Sequence, residues 1–142
     1  MARAVAEGAG DLGLLFPAHE ADGGTLLAAS GYVFVCPENL GSMSGIMKDM
    51  FDRTYYPVLG RIEGRAYATA IAAGSDGEGA ERQIDRIVTG WRLRRVAESL
   101  IVNLDAQRPE TILAQKSVSK EDLERCHDLG KAFGEGIRLG IY

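Results

Sequence analysis

The chain has few cysteines, no long apolar run and no excess of basic residues, and each shortage excludes a class of protein. Its two cysteines, Cys36 and Cys126, are too few for a disulfide framework and have no metal-ligand spacing. No run approaches the ~20 apolar residues that span a bilayer, and the N-terminus lacks the apolar segment of a signal peptide. We therefore expect a cytoplasmic protein with no metal site.

The charge balance is acidic. Twenty Asp and Glu residues against 16 Lys and Arg residues give a formal net charge of −4, which predicts neither nucleic acid nor a membrane surface as a partner. An apolar fraction of 46% and a charged fraction of 25% are ordinary for a globular protein. The length of 142 residues suits a single domain over residues 1–142.

Extended apolar runs alternate with amphipathic stretches, a pattern that indicates βαβ units and a parallel sheet. The predicted strands cover residues 32–36, 67–72 and 100–102, and the predicted helices that follow them cover residues 44–55, 79–95 and 120–139. A helix-like start covers residues 2–7 and a short apolar piece covers residues 12–16. Residues 105–118 predict a surface connection, with residues 111–113 as a candidate extra strand.

Each predicted helix has an apolar stripe at three- and four-residue spacing, which gives it an inward face. Ser75 and Glu78 fit a capping box at the start of the second helix, and Ser119 is the predicted cap of the third. The predicted inward residues are Ile46, Met47, Met50, Phe51 and Tyr55, then Ile84, Ile87, Val88 and Trp91, then Leu123, Cys126, Leu129, Phe133 and Ile137.

Two glycine-containing loops follow the first two predicted strands, PENLGSMSG at residues 37–45 and GSDGEG at residues 74–79. Ligands of open parallel sheets bind beyond the carboxyl ends of the strands. Each loop also leads into a helix N-terminus, where free N–H groups attract an anion or an electron-rich ring edge. Together the loops predict a site for a planar heterocycle, whereas ordinary turn chemistry would explain either loop alone.

These segments resemble a known family. YVFVCPENLGSM at residues 32–43 resembles the strand and Pro-x-x-x-Gly-x-Met loop of flavodoxin-like NAD(P)H-dependent FMN reductases, most closely the Trp-repressor-binding-protein type of quinone oxidoreductase. MKDMFDRT at residues 47–54 is similar to the Lys-x-x-Phe-Asp-Arg helix of that family. Residues 60–65 resemble its turn into the next strand, and residues 74–79 resemble its second flavin loop. The resemblance covers residues 31–102.

The resemblance implies a flavodoxin-like α/β three-layer sandwich with strand order 2-1-3-4-5, and FMN whose isoalloxazine ring lies between the two loops. It implies hydride transfer from NAD(P)H to the flavin and onward electron transfer to a quinone-like or flavin acceptor. No catalytic side chain is carried over. The residues that would border FMN are Pro37, Glu38, Asn39, Leu40, Gly41, Ser42 and Met43 on one side, and Gly74, Ser75, Asp76 and Gly77 on the other.

The start of the chain departs from the family pattern. Family members begin with a strand and a Ser/Thr-rich loop that holds the FMN phosphate, whereas residues 1–8 here resemble the inside of the next helix. We therefore expect that the first strand and the phosphate loop are missing, and that FMN binds weakly or not at all. The unpaired strand edges predict a homodimer or a larger assembly.

Two explanations of this departure stay open, an N-terminally truncated flavoprotein and a lineage that no longer needs FMN. The first makes the chain an FMN-dependent NAD(P)H oxidoreductase impaired by the truncation. The second makes it a cofactor-free binding or interaction protein on a flavodoxin-like scaffold. Because a fold does not fix a function, the fold alone does not choose between them.

Overall fold

The alanine-rich strand β3 (Ala66–Ala73) is the centre of the sheet, and every residue in it except Ala72 is buried. In the computed structural model, which describes residues 1–142, β3 pairs in parallel with β1 (Gly31–Asn39) along one edge. Its other edge pairs in parallel with β4 (Arg94–Arg95) and then with β5 (Leu100–Asn103). Small side chains suit this central position because helices cover both faces of the sheet.

Strand β1 ends in a tight hairpin. Its last two residues pair in antiparallel fashion with β2 (Ser42–Met43). The turn between them consists of Leu40 and Gly41, both with positive φ, at 53° and 70°. Two-residue hairpin turns of this kind require positive φ at both positions, which glycine adopts freely and leucine does not.

Helices lie in two layers against the sheet. The layer on one face contains α1 (Ala2–Gly8) and α6 (Lys120–Arg138), and the layer on the other face contains α2 (Gly23–Ala28), α3 (Gly45–Val58) and α4 (Glu78–Gly90). A 3₁₀ turn at Gly10–Leu12 follows α1, and the short helix α5 (Pro109–Leu113) lies between β5 and α6.

The alternation of side chains along β1 divides them between two cores. Phe34 faces α3 and α4, where its ring lies 5.1 Å from that of Phe51, which in turn lies 5.2 Å from the ring of Trp91. Val33, on the opposite side, packs near Phe133 of α6. The core on the α2–α4 side is the larger, with 18 buried residues.

The three-layer α/β architecture with a parallel sheet is the predicted one. The predicted strands at residues 32–36, 67–72 and 100–102 lie side by side in chain order, which agrees with the last three places of the expected order. The predicted cap of α6 is also confirmed, because Ser119 Oγ accepts a hydrogen bond from the Asp122 amide at 3.0 Å. The outer edge of β1 from Gly31 to Pro37 has no strand partner.

Two predicted elements are wrong in detail. Helix α4 ends at Gly90 rather than at residue 95, because Arg92 adopts a positive φ of 57° and turns the chain so that β4 pairs with β3. Residues 111–113 belong to helix α5 and not to an extra strand.

Part of the predicted stripe of α3 is also wrong. Ile46 is 51% exposed and Tyr55 is 40% exposed, whereas Thr54 and Val58 are buried in their place. The buried face of α3 is therefore rotated about the helix axis from the predicted face, so that Thr54 and Val58 pack inward instead of Ile46 and Tyr55. Leu123, predicted inward on α6, is also exposed.

Arg65 joins the end of α2 to the sheet. Helix α2 ends without a glycine cap, so its last carbonyl groups need other donors. Arg65 Nη1 lies 2.9 Å from the Leu26 oxygen, 2.5 Å from the Ala29 oxygen and 3.0 Å from the Tyr32 hydroxyl. The Tyr32 hydroxyl donates to the Leu26 oxygen at 2.7 Å. A cation therefore satisfies the negative end of this helix.

We expect Arg65→Ala to lower the free energy of unfolding by about 2–3 kcal/mol, because it leaves half-buried carbonyl groups without a donor. Urea unfolding followed by circular dichroism measures this loss. The control is Arg61→Ala, which removes an exposed guanidinium with one 3.3 Å bond to the Pro57 oxygen and should cost less than about 0.5 kcal/mol. Equal losses in the two variants would contradict the role given to Arg65.

A polar network joins β3, β4 and α4. Arg95 Nη1 lies 2.8 Å from Glu81 Oε1, and Arg95 Nη2 lies 3.0 Å from Asp85 Oδ1. The Tyr67 hydroxyl donates to Asp85. Burial raises the pKa of Tyr67, and the hydrogen bond to Asp85 raises it further. The folded state therefore favours the neutral, protonated form of the Tyr67 side chain.

We expect stability to fall at alkaline pH. Burial raises the pKa of Tyr32 and Tyr67 above 10.0 and the pKa of Cys36 and Cys126 above 9.0. The unfolded chain releases these protons first, so their contribution is complete below about pH 9 and is lost as the pH rises through the folded-state values. Tyr67→Phe should lessen the fall between about pH 9 and pH 11 in urea unfolding, and an unchanged slope would refute the assignment.

Candidate functional site

The two predicted loops meet at the carboxyl edge of the sheet, and a side chain joins them. Glu38, at the end of β1, extends to the start of α4. Its Oε1 accepts a hydrogen bond from the Gly77 amide at 3.2 Å, and its Oε2 accepts one from the Ala80 amide at 3.0 Å. A carboxylate at a helix N-terminus is favoured by the unpaired amides and by the helix dipole.

Helix α4 and strand β2 make a second set of contacts between the loops. The Met43 amide donates to Gln83 Oε1 at 3.1 Å, and Gln83 Nε2 donates to Ser42 Oγ at 3.4 Å. Gly79 lies directly against the Gly41 carbonyl, where a Cβ at position 79 would collide with the oxygen. Glycine at position 79 therefore permits the close approach of the two loops.

The predicted capping box at Ser75 and Glu78 does not form. The N-cap of α4 is Gly77, in the left-handed conformation with φ at 85°. Asp76 Oδ1 accepts from the Glu78 amide at 2.8 Å, and Glu38 accepts from two further amides. The amides at the start of α4 are thus capped by Asp76, from the loop before the helix, and by Glu38, from the neighbouring strand β1. A local sequence motif cannot predict the second of these caps.

A third segment borders the site. The Gly74 oxygen accepts from the Ala106 amide at 2.7 Å, and the Asn103 side-chain amide donates to the Ser75 oxygen. Asn103 Oδ1 also accepts from the Asp105 amide at 2.9 Å. The sequence predicted only a surface connection from residue 105 onward. Residues 103–106 instead support the underside of the second loop.

The predicted site residues divide by exposure. Met43 and Gly77 are buried, and the Met43 side chain belongs to the larger core. The others are exposed or half-buried, and we call the exposed surface of Leu40, Gly41, Ser75 and Asp76 the loop surface. The loop surface is where a ligand would meet this edge of the sheet.

Leu40 stands out on the loop surface because it is fully exposed and has positive φ. A left-handed leucine costs about 1–2 kcal/mol relative to a relaxed backbone. An apolar side chain held in solvent by a strained turn is typical of a binding position. Beside it, the space around Gly41 is open, so a flat ring has room over the turn.

The loop surface offers hydrogen-bond donors but no positive charge. The amides of Ser75 and Asp76 make no hydrogen bond within the chain. The charged groups among the predicted site residues are the carboxylates of Glu38 and Asp76, with no Lys or Arg among them. The residues present therefore fit the ring of FMN, which has several acceptor atoms, but they do not fit its phosphate dianion.

The structure contains neither metal-ligand clusters nor membrane-spanning helices. No group of three or more His, Cys, Asp or Glu residues is placed to hold a metal ion. None of the helices has the length and apolar character needed to cross a bilayer.

Comparison with known proteins gives a family match and a set of similar folds. The sequence model of the NADPH-dependent FMN reductase family matches residues 23–106, a range that includes both loops. A search of curated proteins finds no match. Three solved structures with similar folds are each less than 20% identical to this chain in sequence, so their similarity concerns the fold.

An archaeal flavodoxin superposes with a TM-score of 0.71 at 15% identity, covering 96% of this chain and 87% of that one. A WrbA-like flavodoxin from Agrobacterium tumefaciens gives 0.71 at 16% identity with the same coverage. The Flv1 flavodiiron core from Synechocystis sp. PCC6803 gives 0.72 at 14% identity, covering 97% of this chain and 32% of that one. These similarities confirm the flavodoxin-like fold.

We expect Gly79→Ala and Gly90→Ala, the same change at two positions of α4, to have opposite effects on the stability of the protein. Gly90 has open space around it, so alanine should stabilise the protein by up to about 1 kcal/mol. At position 79 the new Cβ meets the Gly41 carbonyl, and forced separation of the loops should cost about 1–3 kcal/mol. Urea midpoints measure both effects. A Gly79→Ala variant as stable as Gly90→Ala would show that the loops do not need this contact.

Proposed function

Because the chain belongs to the NADPH-dependent FMN reductase family, we propose that it is an FMN-dependent NAD(P)H oxidoreductase that holds the flavin ring on its loop surface. The observation that carries the proposal is the junction of the two loops through Glu38, at the sheet edge where parallel α/β proteins bind ligands. FMN, when bound, takes a hydride from a nicotinamide and passes electrons to an acceptor.

The residues of the loop surface bind and orient the ring. Leu40 and Gly41 offer an apolar, open surface to one ring face. The free amides of Ser75 and Asp76 donate to carbonyl and nitrogen acceptors at a ring edge. Hydride transfer between two bound rings needs positioning rather than a protein base, so Asp76 acts here through its backbone.

We infer that FMN is held weakly. The phosphate finds no cation on the loop surface, and the carboxylates of Glu38 and Asp76 repel it. The N-terminus of α4, which elsewhere is a ready anion site, already holds the carboxylate of Glu38. The ring therefore supplies most of the affinity.

The acceptor is a quinone-like molecule or a free flavin in this proposal. Either is a flat ring that stacks on the exposed face of a bound flavin, so the open loop surface suits both. The exposed side chains of Tyr55, Tyr56 and Leu59 at the end of α3 support assembly as a homodimer or larger. Cys36 and Cys126 are both unpaired and buried, which suits a reducing cytoplasm.

One observation favours a second function, a cofactor-free binding protein. The loops touch directly between Gly41 and Gly79, and Glu38 uses amides that a ligand would otherwise bind. Under this alternative the loop surface recognises a partner through Leu40, and no flavin is bound.

We expect FMN and riboflavin to bind with dissociation constants within about threefold of each other, because the phosphate gains no favourable contact and the exposed carboxylates repel it only weakly. Leu40→Gly should weaken both by about tenfold, a loss of about 1.4 kcal/mol. The same change should stabilise the fold by about 1 kcal/mol, because it relieves the left-handed backbone. Quenching of flavin fluorescence gives the affinities, and urea unfolding gives the stability.

The control is Leu113→Ala, an exposed leucine outside both loops, which should change neither affinity. NAD(P)H oxidation with added FMN and a soluble quinone tests turnover. Tight, stoichiometric FMN with much weaker riboflavin would contradict the proposed weak phosphate contribution. A complete lack of binding by both flavins would favour the cofactor-free alternative.

A further inference from the structure

A third segment at the carboxyl edge of the sheet, residues 103–108, carries a positive charge that the two loops lack. The two loops contain no Lys, Arg or His, and their ionisable side chains are the carboxylates of Glu38, Asp76 and Glu78. The third segment begins at the end of β5, a strand that pairs with β3, and it ends in Arg108. Arg108 is therefore the one cationic residue in these three segments.

The backbone of this segment is held against the second loop. The Leu104 amide donates to the Ala73 oxygen at 2.8 Å, and the Ala106 amide donates to the Gly74 oxygen at 2.7 Å. Because two residues of extended chain span roughly 7 Å, the Cα of Arg108 lies within that distance of Ala106. An arginine side chain at this position is long enough to reach the rim of the loop surface.

Local hydrogen bonds hold the backbone of Arg108 and leave its guanidinium free. The Arg108 amide donates to Thr111 Oγ1 at 3.1 Å, and the Arg108 oxygen accepts from the Thr111 hydroxyl at 3.0 Å. Pro109 favours an extended conformation in the residue before it, and Arg108 has φ at −108° and ψ at 151°. Its side chain is exposed and makes no ion pair with any carboxylate of the chain.

Two neighbouring cations already have partners. Arg82, near the start of α4, lies 2.9 Å from Glu78. Lys116, just beyond α5, donates to the Ile112 oxygen at 2.6 Å and to the Ala114 oxygen at 2.7 Å. Each of these cations would have to give up its present partner before it could bind a ligand anion. The unpaired guanidinium has no such cost.

The hydride donor of the proposed reaction brings negative charge to this edge. Its nicotinamide ring has to lie on the exposed face of the flavin for hydride transfer. Its pyrophosphate, one ribose away, then has to leave over the rim of the loop surface. The first loop and the start of α4 present the carboxylates of Glu38 and Glu78, whereas residues 103–108 present a guanidinium, whose planar donors match phosphate oxygens. Electrostatics therefore favours the third segment.

We propose that Arg108 binds the pyrophosphate of the nicotinamide dinucleotide and thereby selects it over nicotinamide donors that have no phosphate. The guanidinium donates N–H groups to phosphate oxygens and takes no part in the hydride transfer, so Arg108 determines specificity rather than chemistry. The role rests on the proposed function, because it concerns the donor of that same reaction. It does not extend to the phosphate of FMN, which the carboxylates of Glu38 and Asp76 repel.

The test compares two hydride donors at saturating FMN with a soluble quinone as acceptor. One is NADH, and the other is 1-benzyl-1,4-dihydronicotinamide, which has the same reactive ring and no phosphate. We expect Arg108→Gln to raise the KM for NADH about tenfold with kcat unchanged, because the contact is the same in the ground state and the transition state. Neither constant should change for the phosphate-free donor. Arg108→Lys should recover part of the loss for NADH.

The matched control is Arg94→Gln, which removes the same charge at the opposite edge of the sheet. Arg94 is exposed, and it lies opposite Ala66 at the amino end of β3. We expect the KM for either donor to change by less than about twofold, because solvent screens a charge at that distance. The control separates a local contact from the change in net charge.

Binding of ADP-ribose, measured by calorimetry on the flavin-free protein, gives a second readout that needs no turnover. ADP-ribose has the pyrophosphate and the adenosine of the donor but no nicotinamide. We expect Arg108→Gln to weaken this binding about tenfold and Arg94→Gln to leave it unchanged. The difference between the two variants should shrink as the salt concentration rises, because an exposed ion pair is screened.

Two results would overturn the role of Arg108 and leave the oxidoreductase in place. One is turnover in which Arg108→Gln changes the KM for both donors equally or for neither. The other is weaker binding of FMN by Arg108→Gln with riboflavin unchanged, which would assign the guanidinium to the flavin phosphate. A lack of turnover by the unchanged protein with both donors would instead overturn the proposed function, and this role with it.

Discussion

The carboxylate of Glu38 is the contact on which the candidate site depends. It leaves the end of one parallel strand and satisfies two amides at the start of the helix that follows the neighbouring strand. Hydrogen bonds to a charged acceptor are about twice as strong as neutral ones, and the helix dipole adds to them. The glycine contact at Gly79 and the bonds of Gln83 are possible only while these loops are held together.

The same contact limits what the site can bind. A helix N-terminus at the carboxyl edge of a parallel sheet is the usual place for a phosphate, and here the chain has filled it with its own carboxylate. What is left is an exposed turn, two free amides and negative charge. The family match supports the flavin that we propose as the ligand, and the local charges favour its ring over its phosphate. A flavin can bind at a site that disfavours its phosphate if the affinity comes from stacking on the ring and from hydrogen bonds at the ring edge.

The sequence predicted the meeting of the loops but not what joins them. Two apolar strands separated by a helix predict a parallel pair, and parallel neighbours bring their following loops to one edge. The Glu38 bonds join residues 39 and 42 positions apart, and no local pattern signals such a pairing. The capping box failed for a related reason, since Gly77 took the cap position and the acceptors came from Asp76 and Glu38. Arg92 ended α4 early through a backbone conformation that arginine rarely adopts.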